Sequence, residues 1–182
     1  MVVLNRIYTR TGDDGTTALG SGDRRKKYDL RVDAYGTLDE VNAALGIVRL
    51  HTSGDPLDAA LAHIQNDLFD LGADLCVPET DPPQDPAPLR ATPAQTERLE
   101  GWIDQITAGL PELKSFVLPG GTELNSSLHI ARTVCRRAER RIVARSFFWS
   151  VPPARNSATS ASRRPRSESP RQCSRLPFLK SV

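Results

Sequence analysis

The sequence predicts an all-α protein, an antiparallel helical bundle. Four separate stretches repeat apolar residues at alternating spacings of three and four, the signature of a helix with one buried face. Proline- and glycine-rich joints separate these stretches, and no comparable period-two pattern announces a strand. At 182 residues, with 38% hydrophobic and 25% charged residues, the chain suits one domain with a real core. No apolar run approaches the roughly 20 residues of a membrane span, and the first residues lack the apolar stretch of a signal peptide.

Residues 1–28 form an N-terminal segment ahead of the bundle, and the bundle itself is expected over 29–144. The first stripe is Ala34, Leu38, Val41, Leu45 and Val48. Asp55-Pro56 then reads as an N-cap followed by proline at the first helical position. The second stripe is Leu57, Leu61, Ile64, Leu68, Leu71 and Leu75, ended by Pro78. Residues 78–93 hold six prolines and read as a mobile loop. Thr92-Pro93 with Gln95 resembles a capping box, and Leu99, Ile103, Ile106 and Leu110 make a third, shorter stripe. Pro119-Gly120-Gly121 breaks the chain. Thr122 is placed to cap a fourth helix carrying Leu124, Leu128, Ala131, Cys135, Ala138 and Ile142. From Arg145 to Val182 the composition turns to Ser, Arg and Pro without a sustained period, which predicts a disordered tail, with Phe147 to Val151 as the one local patch.

Charge follows the same boundary. Residues 145–182 hold seven Arg, one Lys and one Glu, a net +7, so the overall +2 leaves −5 on residues 1–144. The basicity belongs to one segment, and nucleic acid is not expected as a partner. An RNA-binding tail is the sharper alternative to a plain unstructured end. The three cysteines, Cys76, Cys135 and Cys173, have no metal-like spacing and read as free thiols, with the cytoplasm as the expected location.

Two segments carry candidate chemistry. Between Thr9 and Lys27, four glycines (Gly12, Gly15, Gly20, Gly22) alternate with five hydroxyl residues, and the basic run Arg24–Lys27 closes the segment. Glycine permits tight turns with converging N–H groups, and hydroxyls and cations complete a cradle for an anion. A solvated arm is the plainer reading. The segment is not a Walker A loop, since no Gly-Lys-Ser/Thr follows the glycines. On the fourth helix Arg132, Arg136 and Arg140 share a face, Arg137 and Arg141 form an adjacent row, and Glu139 is placed to brace Arg136. Such a row is either a solvated face or a phosphate clamp, because guanidinium offers paired planar donors. Asp39 and Glu40 are a carboxylate pair with arginines as natural partners. His51 and His63 carry little signal, while His129 lies one turn before the arginines. No nucleophile triad is indicated.

Four segments in order then resemble a known family: YTRTGDDGTT at Tyr8–Thr17, AYGTLDEVN at Ala34–Asn42, FVLPGG at Phe116–Gly121 and HIARTVCRRAER at His129–Arg140. Together they resemble the PduO-type ATP:cob(I)alamin adenosyltransferases over residues 1 to about 144. The resemblance implies a five-helix bundle assembled as a homotrimer, with ATP bound between subunits. It implies that Thr9, Arg10, Thr11, Gly12, Thr17, Ala18 and Lys27 hold the nucleotide. Arg136, Arg137, Ala138, Glu139 and Arg140 would face its phosphates from the neighbouring subunit, with Mg²⁺ on the phosphates. Asp39 would pair with an adjacent subunit's copy of Arg132, and Phe116 would line the corrinoid side. The implied reaction joins the 5′-carbon of ATP to the Co(I) of reduced cobalamin and releases triphosphate. A reductase supplying Co(I) and an acceptor enzyme for adenosylcobalamin are the implied partners, with no protein metal site.

The chain departs from that family after Ala144, where a fifth helix with an Asn-Arg-Leu-Ser-Asp motif is expected and does not follow. The abrupt change suggests out-of-frame coding sequence, which resequencing around codon 145 would test. An ATP- or corrinoid-binding protein without turnover is the alternative reading.

Overall fold

A computed structural model describes residues 8–80 and 82–150. It contains a short hairpin, β1 (Thr16–Ala18) and β2 (Arg24–Lys26), followed by four helices: α1 (Leu30–Arg49), α2 (Pro56–Cys76), α3 (Pro93–Thr107) and α4 (Glu123–Ser150). The helical stripes fall where the periodicity puts them, and the caps explain where each helix starts. Asp29 accepts from the Arg31 N–H at 2.8 Å to open α1. Asp55 does the same for Leu57 at 2.7 Å, with Pro56 in the first turn of α2. Gln95 reaches back to the Thr92 N–H at 2.9 Å, and the Thr122 hydroxyl accepts from the Asn125 N–H at 3.2 Å.

Polar contacts define the direction of three helix pairs. Along α1 and α2, Arg31 reaches Leu75, Asn42 and Gln65 exchange side-chain-to-carbonyl bonds, and Arg49 meets Asp58. Contacts that climb one helix while descending the other mean antiparallel packing. Between α1 and α4 the sequence is Asp33 with Arg141, Glu40 with Arg137, and His51 with Glu123, again antiparallel. Helix α3 runs antiparallel to α2 through Asp67–Arg98 and His63–Trp102, whose ring centroids are 6.0 Å apart.

Helix α1 supplies the two extensive interfaces, one to α2 and one to α4. The core gathers Ala34, Leu38, Val41, Leu45 and Val48 with Leu61, Leu68, Leu71, Leu75, Ala131, Ala138 and Ile142. Burying each large aliphatic side chain contributes about 2 kcal/mol against the ordering entropy of the chain.

Four features differ from the sequence reading. The N-terminal segment contains paired strands too short to leave a period-two pattern. The third stripe is core only at its start: Leu99 packs inward, while Ile103, Ile106 and Leu110 are exposed. Periodicity shows that a helix has an apolar face and says nothing of what covers it. The loop after α2 is pinned at its far end, because the buried Asp74 carboxylate accepts from Arg90 Nη1 at 2.6 Å and from the Ala91 N–H at 2.9 Å. Helix α4 also continues through the compositional break to Ser150, and Arg145 is buried. The tail disorder expected beyond that point, the Val151 end of the aromatic patch, and Cys173 lie outside the described residues.

Candidate functional site

The glycine–threonine segment folds back on itself through the β1–β2 hairpin, in which Thr16 pairs with Lys26 and Ala18 with Arg24. The returning strand delivers Lys27 to Gly12. A Cβ added at Gly12 would stand 3.3 Å from both Lys27 Cε and Nζ and 2.9 Å from the Thr16 carbonyl oxygen. Only glycine lets the Thr16 carbonyl and the Lys27 ammonium come this close. Lys27 N–H donates to the Gly15 carbonyl at 3.0 Å, and Gly15 N–H to the Gly12 carbonyl at 3.2 Å, which closes the loop. The Thr9 and Thr11 hydroxyls are 3.0 Å apart at the mouth. Arg10 holds a positive φ of 58°, a conformation that costs a side-chain-bearing residue energy and marks functional loops. Its guanidinium lies over the Tyr8 ring at 5.5 Å. Thr17 and Ala18 continue along β1.

Arg24 is the brace that the sequence pattern did not single out from its basic run. Its Nη2 donates to the Thr11 carbonyl at 2.5 Å and to the Thr16 hydroxyl, tying the cradle strand to the hairpin. The Thr16 hydroxyl in turn donates to Asp14 at 2.7 Å and its N–H at 2.9 Å. These bonds, with the charges of Arg24 and Lys26, hold the Asp14 carboxyl below the usual carboxylate range. One member of the basic run is thus spent on structure, leaving Lys27 beside Gly12.

The arginines of α4 divide by row. Arg137 pairs with Glu40 and Arg141 with Asp33 at 3.1 Å, so this row braces α4 against α1. The resemblance assigns Arg137 to the phosphates, whereas here its guanidinium is engaged by Glu40 in the same chain. Arg132, Arg136 and Arg140 are exposed on the other row, and Arg132 and Arg140 make no ion pair among the described residues. Ala138 is buried beneath them with no exposure at all, and Glu139 is half-buried. Burial, with Glu139 next, pushes the Cys135 thiol upward, which keeps it protonated and inert at neutral pH. Asp39 is exposed on α1 beside Glu40 and is not engaged by an arginine of its own chain among the described residues.

Phe116 stands free on the α3–α4 connection, wholly exposed beside Leu113, Val117 and Leu118. That connection leaves from and returns to the end of the bundle where His51 meets Glu123. The cradle sits at the other end, beside the start of α1. Twenty residues of helix separate these ends by about 30 Å. One chain therefore presents the cradle and Phe116 at opposite ends of the bundle, with Arg140 toward the cradle end, next to the Arg141 that meets Asp33.

Comparison with known proteins identifies the family. The family profile described as cobalamin adenosyltransferase matches residues 7–150. A corrinoid adenosyltransferase of Mycobacterium bovis is 55% identical over 140 residues, covering 76% of this chain and 72% of the relative. One from Bacillus subtilis is 46% identical over 143 residues, covering 76% and 71%. Among solved structures, a variant PduO-type ATP:corrinoid adenosyltransferase from Lactobacillus reuteri, complexed with cobalamin and ATP, superimposes with a TM-score of 0.70. It is 40% identical, and the match covers 76% of this chain and 77% of that one. A profile match spanning the whole bundle, close relatives and a shared fold lead to one conclusion: this chain belongs to the cobalamin adenosyltransferase family.

Proposed function

We propose that the protein transfers the 5′-deoxyadenosyl group of ATP to the Co(I) of reduced cobalamin, forming adenosylcobalamin and releasing triphosphate. The observation that carries this reading is the close approach of the Lys27 ammonium to Gly12, which sets a cation against the glycine–threonine loop on a tied-down hairpin. The cobalt centre supplies the electron pair that forms the cobalt–carbon bond, and the carbon–oxygen bond to triphosphate breaks. No protein nucleophile is required, which suits a chain without a triad. The protein's own work is positioning and charge stabilisation.

In this reading Thr9, Arg10, Thr11, Gly12, Thr17, Ala18 and Lys27 hold the nucleotide. Arg136 and Arg140 of a neighbouring copy face the triphosphate as its charge develops, with Ala138 and Glu139 shaping that surface. Arg137 serves by holding α4 in place through Glu40. Asp39 pairs with an adjacent copy's Arg132, and the assembly is a homotrimer. Support for shared sites comes from the separation of the cradle and Phe116 within one chain and from the exposure of Asp39, Arg132 and Arg140. Phe116 is an apolar wall on the corrinoid side, keeping water and a lower axial ligand from cobalt.

Mg²⁺ would neutralise part of the charge on the leaving phosphates. Among the described residues no group of three or more His, Cys, Asp or Glu is arranged to hold a metal. The ion would travel on the phosphate oxygens, in keeping with its preference for phosphate and water ligands. No helix among the described residues is long and apolar enough to cross a membrane. We place the protein in the cytoplasm, served by a reductase that supplies Co(I) and an acceptor for the product.

An anaerobic assay with ATP, Mg²⁺ and chemically reduced cobalamin tests the proposal. Formation of the light-sensitive cobalt–carbon product in step with triphosphate is the expected result. ATP binding without product would favour the binding-only reading, which rests on the missing motif after Ala144.

A further inference from the structure

The last carbonyls of a helix have no partners within it and carry the negative end of its dipole. At the end of α2 three different parts of the chain claim them. The buried Arg31 of α1 donates Nη1 to the Leu75 carbonyl at 2.6 Å. Arg90 Nη1 donates to the Asp74 and Val77 carbonyls at 3.0 and 2.7 Å. The third claimant is the tip of the hairpin: Gly20 N–H donates to the Cys76 carbonyl at 3.0 Å and lies 3.1 Å from Cys76 Sγ.

The tip is also packed. Leu19 is buried, and the turn closes with Leu19 N–H on the Asp23 carbonyl at 2.8 Å and Gly22 N–H on the Leu19 carbonyl at 2.9 Å. A Cβ at Gly20 would stand 2.7 Å from Val77 Cγ2, inside any tolerable contact. Valine is stiff about its first side-chain torsion, so the clash is not relieved by a simple rotation. The hairpin would have to retreat until 2.7 Å became at least 3.4 Å.

The two three-residue strands link this docked tip to the Gly12–Lys27 notch at the other end of the hairpin. At about 3.3 Å per residue they form a spacer of roughly 10 Å, so a shift at the tip reappears at the notch. We propose that the docking of Leu19 and Gly20 on the C-terminus of α2 sets the position of the nucleotide cradle. Gly20 is then a positioning residue for ATP although it lies outside the cradle. This inference rests on the proposed nucleotide role of the notch.

The test compares the full-length protein with Gly20→Ala and with Gly20→Ala/Val77→Ala, which removes the obstructing methyl group. ATP affinity is measured by calorimetry, and backbone protection over residues 12–27 by hydrogen exchange without nucleotide. In the single variant, ATP binding is expected to weaken about tenfold or more, as misplacements near 1 Å do, while the KM for cobalamin stays put. Exchange over 12–27 should quicken while α1, α2 and α4 keep their protection. The double variant should recover most of both properties, which a general loss of stability would not do. Unchanged ATP affinity and exchange in Gly20→Ala overturn the inference, as does a double variant no better than the single one. If exchange responds and is rescued but the wild-type protein binds no ATP, docking stands and the nucleotide reading of the notch fails.

Discussion

Phe116 is exposed to an extent that no packing inside one chain explains. Its contribution to folding is therefore close to nil, and replacing an exposed side chain shifts stability by less than about 0.5 kcal/mol. Phe116→Ala should leave the melting temperature and the KM for ATP unchanged while lowering cobalt reduction and turnover. Wild-type rates of both reduction and turnover under pre-reduced conditions would remove Phe116 from the corrinoid wall. Its neighbours in the argument behave differently. Arg24, Arg137 and Arg141 look interchangeable with Lys27, Arg136 and Arg140 by residue type, yet their partners in the fold commit them to bracing. Composition identified the cluster, and only the bonds showed which of its members brace the fold.

Helix ends carry much of the organisation. Asp74 is buried at the end of α2, where it satisfies Arg90 and the Ala91 N–H together. Removing one partner of a buried pair leaves the other uncompensated, so Asp74→Ala should destabilise the fold by about 3 kcal/mol in chemical denaturation. A loss within error would mean that the loop after α2 is not held there. The α1–α2 junction titrates. Hydrogen bonds from Arg49, then from Thr52, depress the Asp58 carboxyl below its ordinary value of 3.8. A depressed pKa in the folded state gives stability that is present above the unfolded value and lost as pH falls through the folded one. The melting-temperature gap between wild type and Asp58→Asn should hold steady from pH 7 to about pH 5 and shrink below about pH 4. A gap that persists at pH 2 would show that Asp58 acts by shape alone. Helix starts were legible because Asp55-Pro56, Thr92 with Gln95, and Thr122 use local chemistry. The partners of Asp74 and Arg31 were not, because they lie on other elements.

At the scale of the molecule, shared sites make a prediction that single-site chemistry does not. Lys27→Ala removes the cradle cation, and Arg140→Ala removes an arginine of the facing row; each is expected to be strongly impaired with limiting ATP. Unfolded together and refolded as mixed oligomers, the two should regain about a quarter of wild-type activity, since random mixing pairs intact cradle with intact row that often. No recovery would place both residues in a site built by one chain. The length of α4 matters here as well. With Arg145 buried and the helix running to Ser150, a deletion meant to probe the basic tail has to begin beyond Ser150, or it shortens the helix that carries the arginines. Salt-dependent RNA binding abolished by such a deletion would support the basic-tail alternative.

Local pattern by itself determined the four helices, most of their caps, the inward stripes of α1, α2 and α4, and the two segments proposed here to hold the phosphates. These follow from spacing and backbone chemistry within a few turns, which a sequence displays directly. The three-residue strands, the outward apolar face of α3, the braces of the arginine row and the docking of the hairpin on α2 were decided by the tertiary structure. Each depends on which distant residue arrives as a partner. Gly20 meets Cys76, Glu40 meets Arg137 and Lys27 meets Gly12 only once α1 has packed against both α2 and α4 and the hairpin has closed.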